Sequence, residues 1–260
     1  MADEIDESRL REAARLLMEA SYVVALTGAG MSVESGIPPF RGPGGIWTKY
    51  GEPPMDQYQQ FLADPKKYWL ERTQPSGPMA EFREVLLKAS PNPGHYALAE
   101  LESMGVVKSI ITQNIDNLHQ AAGSRNIIEI HGNATLLRCI SCQTQYKRNE
   151  IPLDELPPKC PRCQGIVKYD TVMFGEPIPP DVLMRCEQET EMCDCMLVIG
   201  TSATVYPAAA FPQHVASRGH PLIEVNLYES ALTGICRISL KGPSGEVLPK
   251  LVQEVRKLKS

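Results

Sequence analysis

Residues 25–45, ALTGAGMSVESGIPPFRGPGG, join the end of an apolar run to a loop rich in glycine and proline, and the fold follows from that junction. Residues 22–27 are short, apolar and suited to a strand buried on both faces. Gly28-Ala29-Gly30 follows at once. Glycines there let the main chain turn sharply and approach a ligand closely, and the amides of such a turn, leading into a helix, form an anion site. The spacing runs on to Gly36 without completing G-x-G-x-x-G, and no acidic residue ends a second strand about 20 residues later. An ordinary dehydrogenase fingerprint is absent. From the loop alone, a tight structural turn and a nucleotide loop both stay open.

With 260 residues the chain has room for one large domain with an insert or for two unequal domains. A hydrophobic content of 43% and a charged content of 22% are those of a globular protein. There is no apolar run of membrane-spanning length and no signal segment in MADEIDESRLRE, so a cytoplasmic protein is expected. The net charge of -5 argues against a general nucleic-acid or membrane-surface binder, while leaving room for an electropositive groove.

Along the chain, Leu10, Ala14, Leu17 and Met18 recur at helical spacing ahead of the first strand. Short helices are expected near 56–62 and from Pro65. The aromatic residues around them, Trp47, Tyr50, Tyr58, Phe61, Tyr68 and Trp69, are expected to pack a small helical lobe. A helix from Pro93 to Gly105 precedes a buried strand at 106–112. Further strands are expected at 127–130, 196–199 and 222–225, and a last helix at 246–258. Apolar strands alternating with helices imply a parallel sheet covered on both faces. Polar residues cluster just beyond these strands, at 28–32, 113–116, 131–133, 200–202 and Asn226. In open α/β sheets ligands bind outside the carboxyl ends of the strands, so five endings converge on one crevice.

Cys139-x-x-Cys142 and Cys160-x-x-Cys163, with residues 143–159 between them, have the spacing of a four-cysteine zinc module. Four thiolates complete a tetrahedron with no open position, so the metal is expected to be structural. Cys186, Cys193, Cys195 and Cys236 lie in or beside apolar segments and read as small buried hydrophobes.

Taken together, GAGMSVESGIPPFRG (28–42), TQNIDNLHQAAG (112–123), EIHGN (129–133), the two cysteine pairs, FGE (174–176), GTSATVYPAA (200–209) and VN (225–226) resemble the sirtuins, NAD-dependent protein deacylases, in content and order. The resemblance extends over roughly residues 15–255. It implies a Rossmann-like parallel sheet with helices on both faces (1–45, 83–136 and 168–260) and a small domain (46–82 and 137–167) made of a helical insert and a zinc ribbon. It implies NAD as cosubstrate, one structural zinc and acylated-lysine proteins or peptides as substrates, in a monomer that binds neither nucleic acid nor membrane.

In the sirtuin scheme the acyl oxygen displaces nicotinamide to give an alkylimidate. A general base then deprotonates a ribose hydroxyl, and water completes transfer, releasing lysine and an O-acyl-ADP-ribose. His131 is the natural base, because imidazole exchanges protons near neutral pH. His95, His119, His214 and His220 are expected to be satisfied core residues. Asn114 and Asp116 match the positions that hold the nicotinamide carboxamide, and Ser32, Arg41 and Gln113 those that meet ribose and phosphates. Phe40 matches the aromatic that covers the ribose. The resemblance also turns Gly28, Ala29, Gly30, Ile37, Trp47 and Ile115 toward the cofactor. Gly200, Thr201, Ser202, Asn226 and Leu227 fall on its adenosine half, with Ser244 a late adenine contact. Phe174, Gly175 and Glu176 match the segment that pairs with substrate peptide as an added strand, with Val172 lining the acyl-lysine tunnel. Residues 37–45 are expected to be a mobile cover over the ribose.

The run FRGPGGIW resembles the branch that removes succinyl and malonyl groups. That branch carries a Tyr-x-x-Arg pair just past a tryptophan, and aligned on Trp69 those positions hold Arg72 and Pro75. Thr171 and Pro39 also depart from the common pattern without removing a catalytic group. Deacetylation is therefore expected first, longer apolar acyl groups next and acidic ones last. Transfer of ADP-ribose to protein is the rival activity, and a non-catalytic nucleotide- and zinc-binding docking module the rival class.

Overall fold

The computed structural model describes residues 6–259, the side chains at 78 and 79 excepted. In chain order the helices and strands are α1 (Glu7–Glu19), β1 (Val23–Thr27), α2 (Ile46–Tyr50), α3 (Gln57–Ala63), α4 (Pro65–Thr73), α5 (Gly77–Lys88), α6 (Pro93–Ser103), β2 (Val107–Thr112), α7 (Leu118–Ala121), β3 (Ile127–Glu129) and β4 (Gly132–Cys139). They continue as β5 (Gln145–Lys147), β6 (Val167–Thr171), α8 (Pro180–Met192), β7 (Cys195–Ile199), α9 (Ala210–Ser217), β8 (Leu222–Asn226), β9 (Ile238–Lys241) and α10 (Ser244–Lys259). Among the described residues no helix is long and apolar enough to cross a membrane.

Six strands form a parallel sheet in the order β3-β2-β1-β7-β8-β9. The chain builds outward from β1 in one direction, returns, and builds outward from β7 in the other. The strand order therefore reverses between β1 and β7, which opens a crevice at their carboxyl ends. Alternate residues of β1 face opposite cores. Val23 and Ala25 join α1, α6 and α10 on one face, and Val24 and Leu26 join α8 and α9 on the other. Cys195, Leu197 and Ile199 of β7 divide from Met196 and Val198 in the same way. With both faces covered, all five residues of each strand are buried, which is why they read as unbroken apolar runs.

A second, antiparallel sheet has the order β5-β4-β6. Its apolar face shares a third core with α3 and α4, where Phe61, Tyr68 and Trp69 meet Leu137, Ile151 and Val167. The indole of Trp69, fully buried, donates to the Val167 carbonyl at 2.8 Å. The expected aromatic lobe holds for these three, with Tyr58 partly buried against them. Tyr50 is exposed and Trp47 packs elsewhere, because α2 is only five residues long and lies outside this core. Both β4 and β6 run through the boundaries expected at 136/137 and 167/168.

Candidate active site

Gly28 and Gly30, just past β1, lie against Gly200, just past β7. The Gly30 amide donates to the Gly200 carbonyl at 2.8 Å. A Cβ on Gly28 would stand 2.8 Å from the Gly200 oxygen, and one on Gly30 would stand 2.7 Å from the Gly200 Cα. Gly200 itself has φ +59° and would press a Cβ to 2.3 Å from the Met31 nitrogen. The glycine spacing thus serves main-chain contact across the switch point as well as any anion. Three polar residues join the neighbouring strand ends. Gln113 Nε2 donates to Thr201 Oγ1 at 3.1 Å, and Asn226 Nδ2 donates to the Thr201 carbonyl at 2.8 Å. Ser244 is buried at the start of α10, within reach of the Met31 carbonyl and Glu34. Ser202 and Leu227 are exposed at the rim.

Beside the loop lies a cleft lined by Ala29, Ser32, Ile37, Pro38, Phe40, Phe82, Leu86, Asn114, Ile115 and Asp116. Its polar end is preorganised. Asn114 Nδ2 donates to the Gly28 carbonyl at 3.0 Å and to Ser32 Oγ at 3.1 Å, while Ser32 Oγ donates to Asp116 Oδ2 at 2.6 Å. The Leu118 amide donates to Asp116 Oδ1 at 3.0 Å. A carboxamide entering here meets an acceptor-rich carboxylate at a fixed place. Phe82, whose ring centroid lies 6.3 Å from that of Phe40, and Leu86 also line the cleft and were not expected from the sequence. They come from α5, whose spacing of Phe82, Val85 and Leu86 carries a short helical signal.

His131 follows β3. Its Nδ1 is 3.2 Å from the Gln113 carbonyl, which can only accept, so Nδ1 carries the proton and Nε2 keeps its lone pair. Burial lowers the imidazole pKa, and the bond to the Gln113 carbonyl partly offsets this, leaving a neutral base at physiological pH. Gly132 explains the rest of the motif: with φ +79°, a Cβ there would lie 1.9 Å from the Asp170 carbonyl of β6.

Phe40, on the cleft wall, meets Trp47 at a tilt of 34° with ring centroids 4.8 Å apart, and Trp47 in turn meets Phe174 at 5.4 Å. Arg41 points away from the cleft, lying over Trp47 at 4.5 Å and pairing with Glu52 at 2.8 Å. Residues 173–176 form a turn, in contrast to the extended edge expected. The Phe174 carbonyl accepts from the Tyr58 amide at 3.0 Å, and Gly175 has φ +76° against the Met55 carbonyl. The Glu176 side chain is drawn inward to Lys168 at 3.1 Å, which curls the segment. The Val172 amide donates to the His131 carbonyl at 2.9 Å.

The other histidines divide. His95 and His119 are buried with ring centroids 5.0 Å apart, and desolvation pushes their pKa values down to about 4 and about 3. Both are core residues, and each has one ring nitrogen without a partner among the described residues. His214 is exposed on α9 and pairs with Glu191 at 2.8 Å, and His220 is partly exposed; the expectation of core placement is wrong for both. Their helix and loop border solvent, a distinction that a lone histidine in an apolar stretch does not reveal.

The four cysteine sulfurs of 139, 142, 160 and 163 lie within 4.8 Å of one another, with contacts of 3.5 Å (Cys139 to Cys163) and 3.7 Å (Cys142 to Cys160). A tetrahedral zinc with thiolate bonds of about 2.3 Å sets its sulfurs about 3.8 Å apart, so the cluster suits that ion. Cys186, Cys193 and Cys195 are buried and Cys236 is partly buried, as expected.

Comparison with known proteins adds a separate line of support. A Sir2 family model matches residues 28–207. The NAD-dependent protein deacylase of Pyrococcus abyssi is 45% identical over 256 residues, covering 95% of this chain and 98% of the relative. A solved Sir2 homologue in complex with NAD is similar at TM-score 0.82 and 43% identity, over 100% of this chain and 97% of the other. A solved Sir2 with p53 peptide and NAD+ is similar at TM-score 0.77 and 34% identity, over 94% and 98%.

Proposed function

This chain belongs to the Sir2 family, and on that premise we propose how its residues carry out NAD-dependent protein deacylation. The enzyme is an NAD-dependent protein deacylase acting on acyl-lysine peptides. When bound, NAD supplies the ADP-ribose that accepts the acyl group, with nicotinamide and free lysine as the other products.

His131 is the general base. The observation that carries this role is its fixed tautomer: Nδ1–H faces the Gln113 carbonyl, leaving Nε2 free to take a proton. Asn114 and Asp116 hold the nicotinamide carboxamide, with the Ser32 hydroxyl bridging them, accepting from the Asn114 amide and donating to the Asp116 carboxylate. Ile37, Phe40 and Ile115 supply apolar walls that keep water from the reacting carbon. Gln113, Thr201 and Asn226 form a bonded series that braces the adenosine side, with Gly28, Ala29, Gly30 and Gly200 letting it approach. Arg41 reaches the phosphates only after leaving Glu52, so cofactor binding and closure of residues 37–45 are one event. Residues 172–176 dock the peptide main chain.

Deacetylation is the preferred reaction. Arg72, which stands where the acidic-acyl branch has its tyrosine, lies over the ring of Tyr68 at 3.9 Å, held against an aromatic face. Mass spectrometry of products formed from NAD and one peptide bearing acetyl, myristoyl or succinyl lysine tests the assignment. O-acyl-ADP-ribose and free lysine are expected, fastest with acetyl. H131A is expected to lower kcat by about 100-fold or more. The acid limb of kcat/KM should lie below the ordinary imidazole value, with activity full above it and lost as pH falls. Intact turnover in H131A would remove the base assigned here.

A further inference from the structure

Lys168 lies on β6, outside the cleft, and its side chain is 2% exposed. An ammonium has three N–H groups to satisfy when buried. Here they meet the carbonyls of Tyr169 (3.0 Å) and Thr171 (2.8 Å) and Glu176 Oε2 (3.1 Å). The same carboxylate oxygen accepts from the Met173 amide at 2.9 Å, and the Glu176 amide donates back to the Met173 carbonyl at 3.0 Å. One buried cation therefore clamps the end of β6 to both sides of the 173–176 turn. Between the two anchor points, Val172 is bonded to the His131 carbonyl. The register of the turn is thus set from one point, while the bond from Val172 to the His131 carbonyl does not involve the cation.

We propose that Lys168 is a positioning residue for the acyl-peptide, its ion pair with Glu176 holding the 173–176 turn in the register that docks the substrate main chain. This rests on the reading of residues 172–176 as the docking segment. Removing the cation leaves a mostly buried carboxylate without its partner, and the carboxylate turns toward water. The Met173 amide then loses its acceptor and the turn opens, so each encounter with peptide must order the segment again. Ordering at the moment of binding weakens affinity without touching the chemical step. The nicotinamide end of the cleft, built on the loops after β1 and β2, is left as it was.

The test combines steady-state kinetics of K168M, K168R and E176Q with hydrogen exchange at residues 172–176, measured with NAD and with or without acyl-peptide. K168M is expected to raise the peptide KM about tenfold, with kcat within about twofold and the NAD KM unchanged. K168R keeps the charge and recovers most of the loss. Wild-type amides at 172–176 gain protection when peptide binds, and those of K168M do not. If wild type gains that protection while K168M and E176Q keep the wild-type peptide KM, the positioning role is overturned and the docking reading stands. If wild type gains none, both fall together. Equal rises in both KM values would make Lys168 a general structural residue and overturn the proposal. Should K168M fail to fold, E176Q preserves shape without charge and is judged by the same split.

Discussion

At Gly132, a residue that reads in the sequence as an appendage to His131, the structure supplies a separate reason for glycine: the Asp170 carbonyl occupies the space a Cβ would need. G132A is expected to lower stability by about 2–4 kcal/mol, because the added carbon meets both a clash and a left-handed backbone. Denaturant unfolding checks this, and a loss below about 0.5 kcal/mol would show that β6 can retreat. The case bears on what a sequence discloses. The chemical types at the site, a histidine, an amide and a carboxylate, are legible because each chemistry needs a particular side chain. Main-chain clearance, as at Gly132 or Gly200, is not, since it depends on which distant strand comes alongside.

Among the elements, β1 and β7 were legible because burial on both faces leaves no polar residue to break the run. The edge strand β9, ISLK, escaped notice: it alternates buried and more exposed positions over only four residues. Helix α8 escaped because only Cys186 and Thr190 of its thirteen residues are buried, too few to mark a stripe. Helices α6 and α7 bring His95 and His119 together. Asn92, the N-cap of α6, donates its backbone N–H to His95 Nδ1 at 3.3 Å, so that ring is neutral. Unfolding frees both rings to their ordinary pKa of 6.5, above their folded values of about 4 and about 3. Between those limits the unfolded chain binds more protons, so stability contributed by the neutral pair is full above pH 6.5 and falls as pH drops toward 4. Urea midpoints should decline from pH 7 to pH 5, and less steeply in H119Q. A pH-independent midpoint would mean that the folded rings accept protons freely.

For the molecule as a whole, the two sheets are joined by β4, which leaves the level of His131 and ends among the cysteines and the third core, and by β6, which returns from there to pair Thr171 with Gly132. We propose the division into a large and a small domain on this basis, with the joint carried by paired strands. Stripping zinc with a chelator is then expected to lower the Tm and abolish deacylation, because disorder in β4 and β6 reaches His131. Retained activity in metal-free protein, checked by elemental analysis, would show that the strands hold without the ion.

The chain has only two tryptophans, and the structure gives them opposite surroundings. Trp69 is sealed in the third core, whereas Trp47 sits beneath the Arg41 guanidinium between Phe40 and Phe174. The molecule therefore carries two indole fluorophores, one in an apolar core where blue-shifted emission is expected and the other placed to report on the cover loop. In a W69F background, adding NAD should change Trp47 emission as Arg41 withdraws from the indole face. In W47F the remaining signal should respond to zinc and hardly to NAD. A W69F emission spectrum indifferent to NAD would mean that the cover does not move, and the two variants together would time closure and lobe integrity in the same unlabelled enzyme.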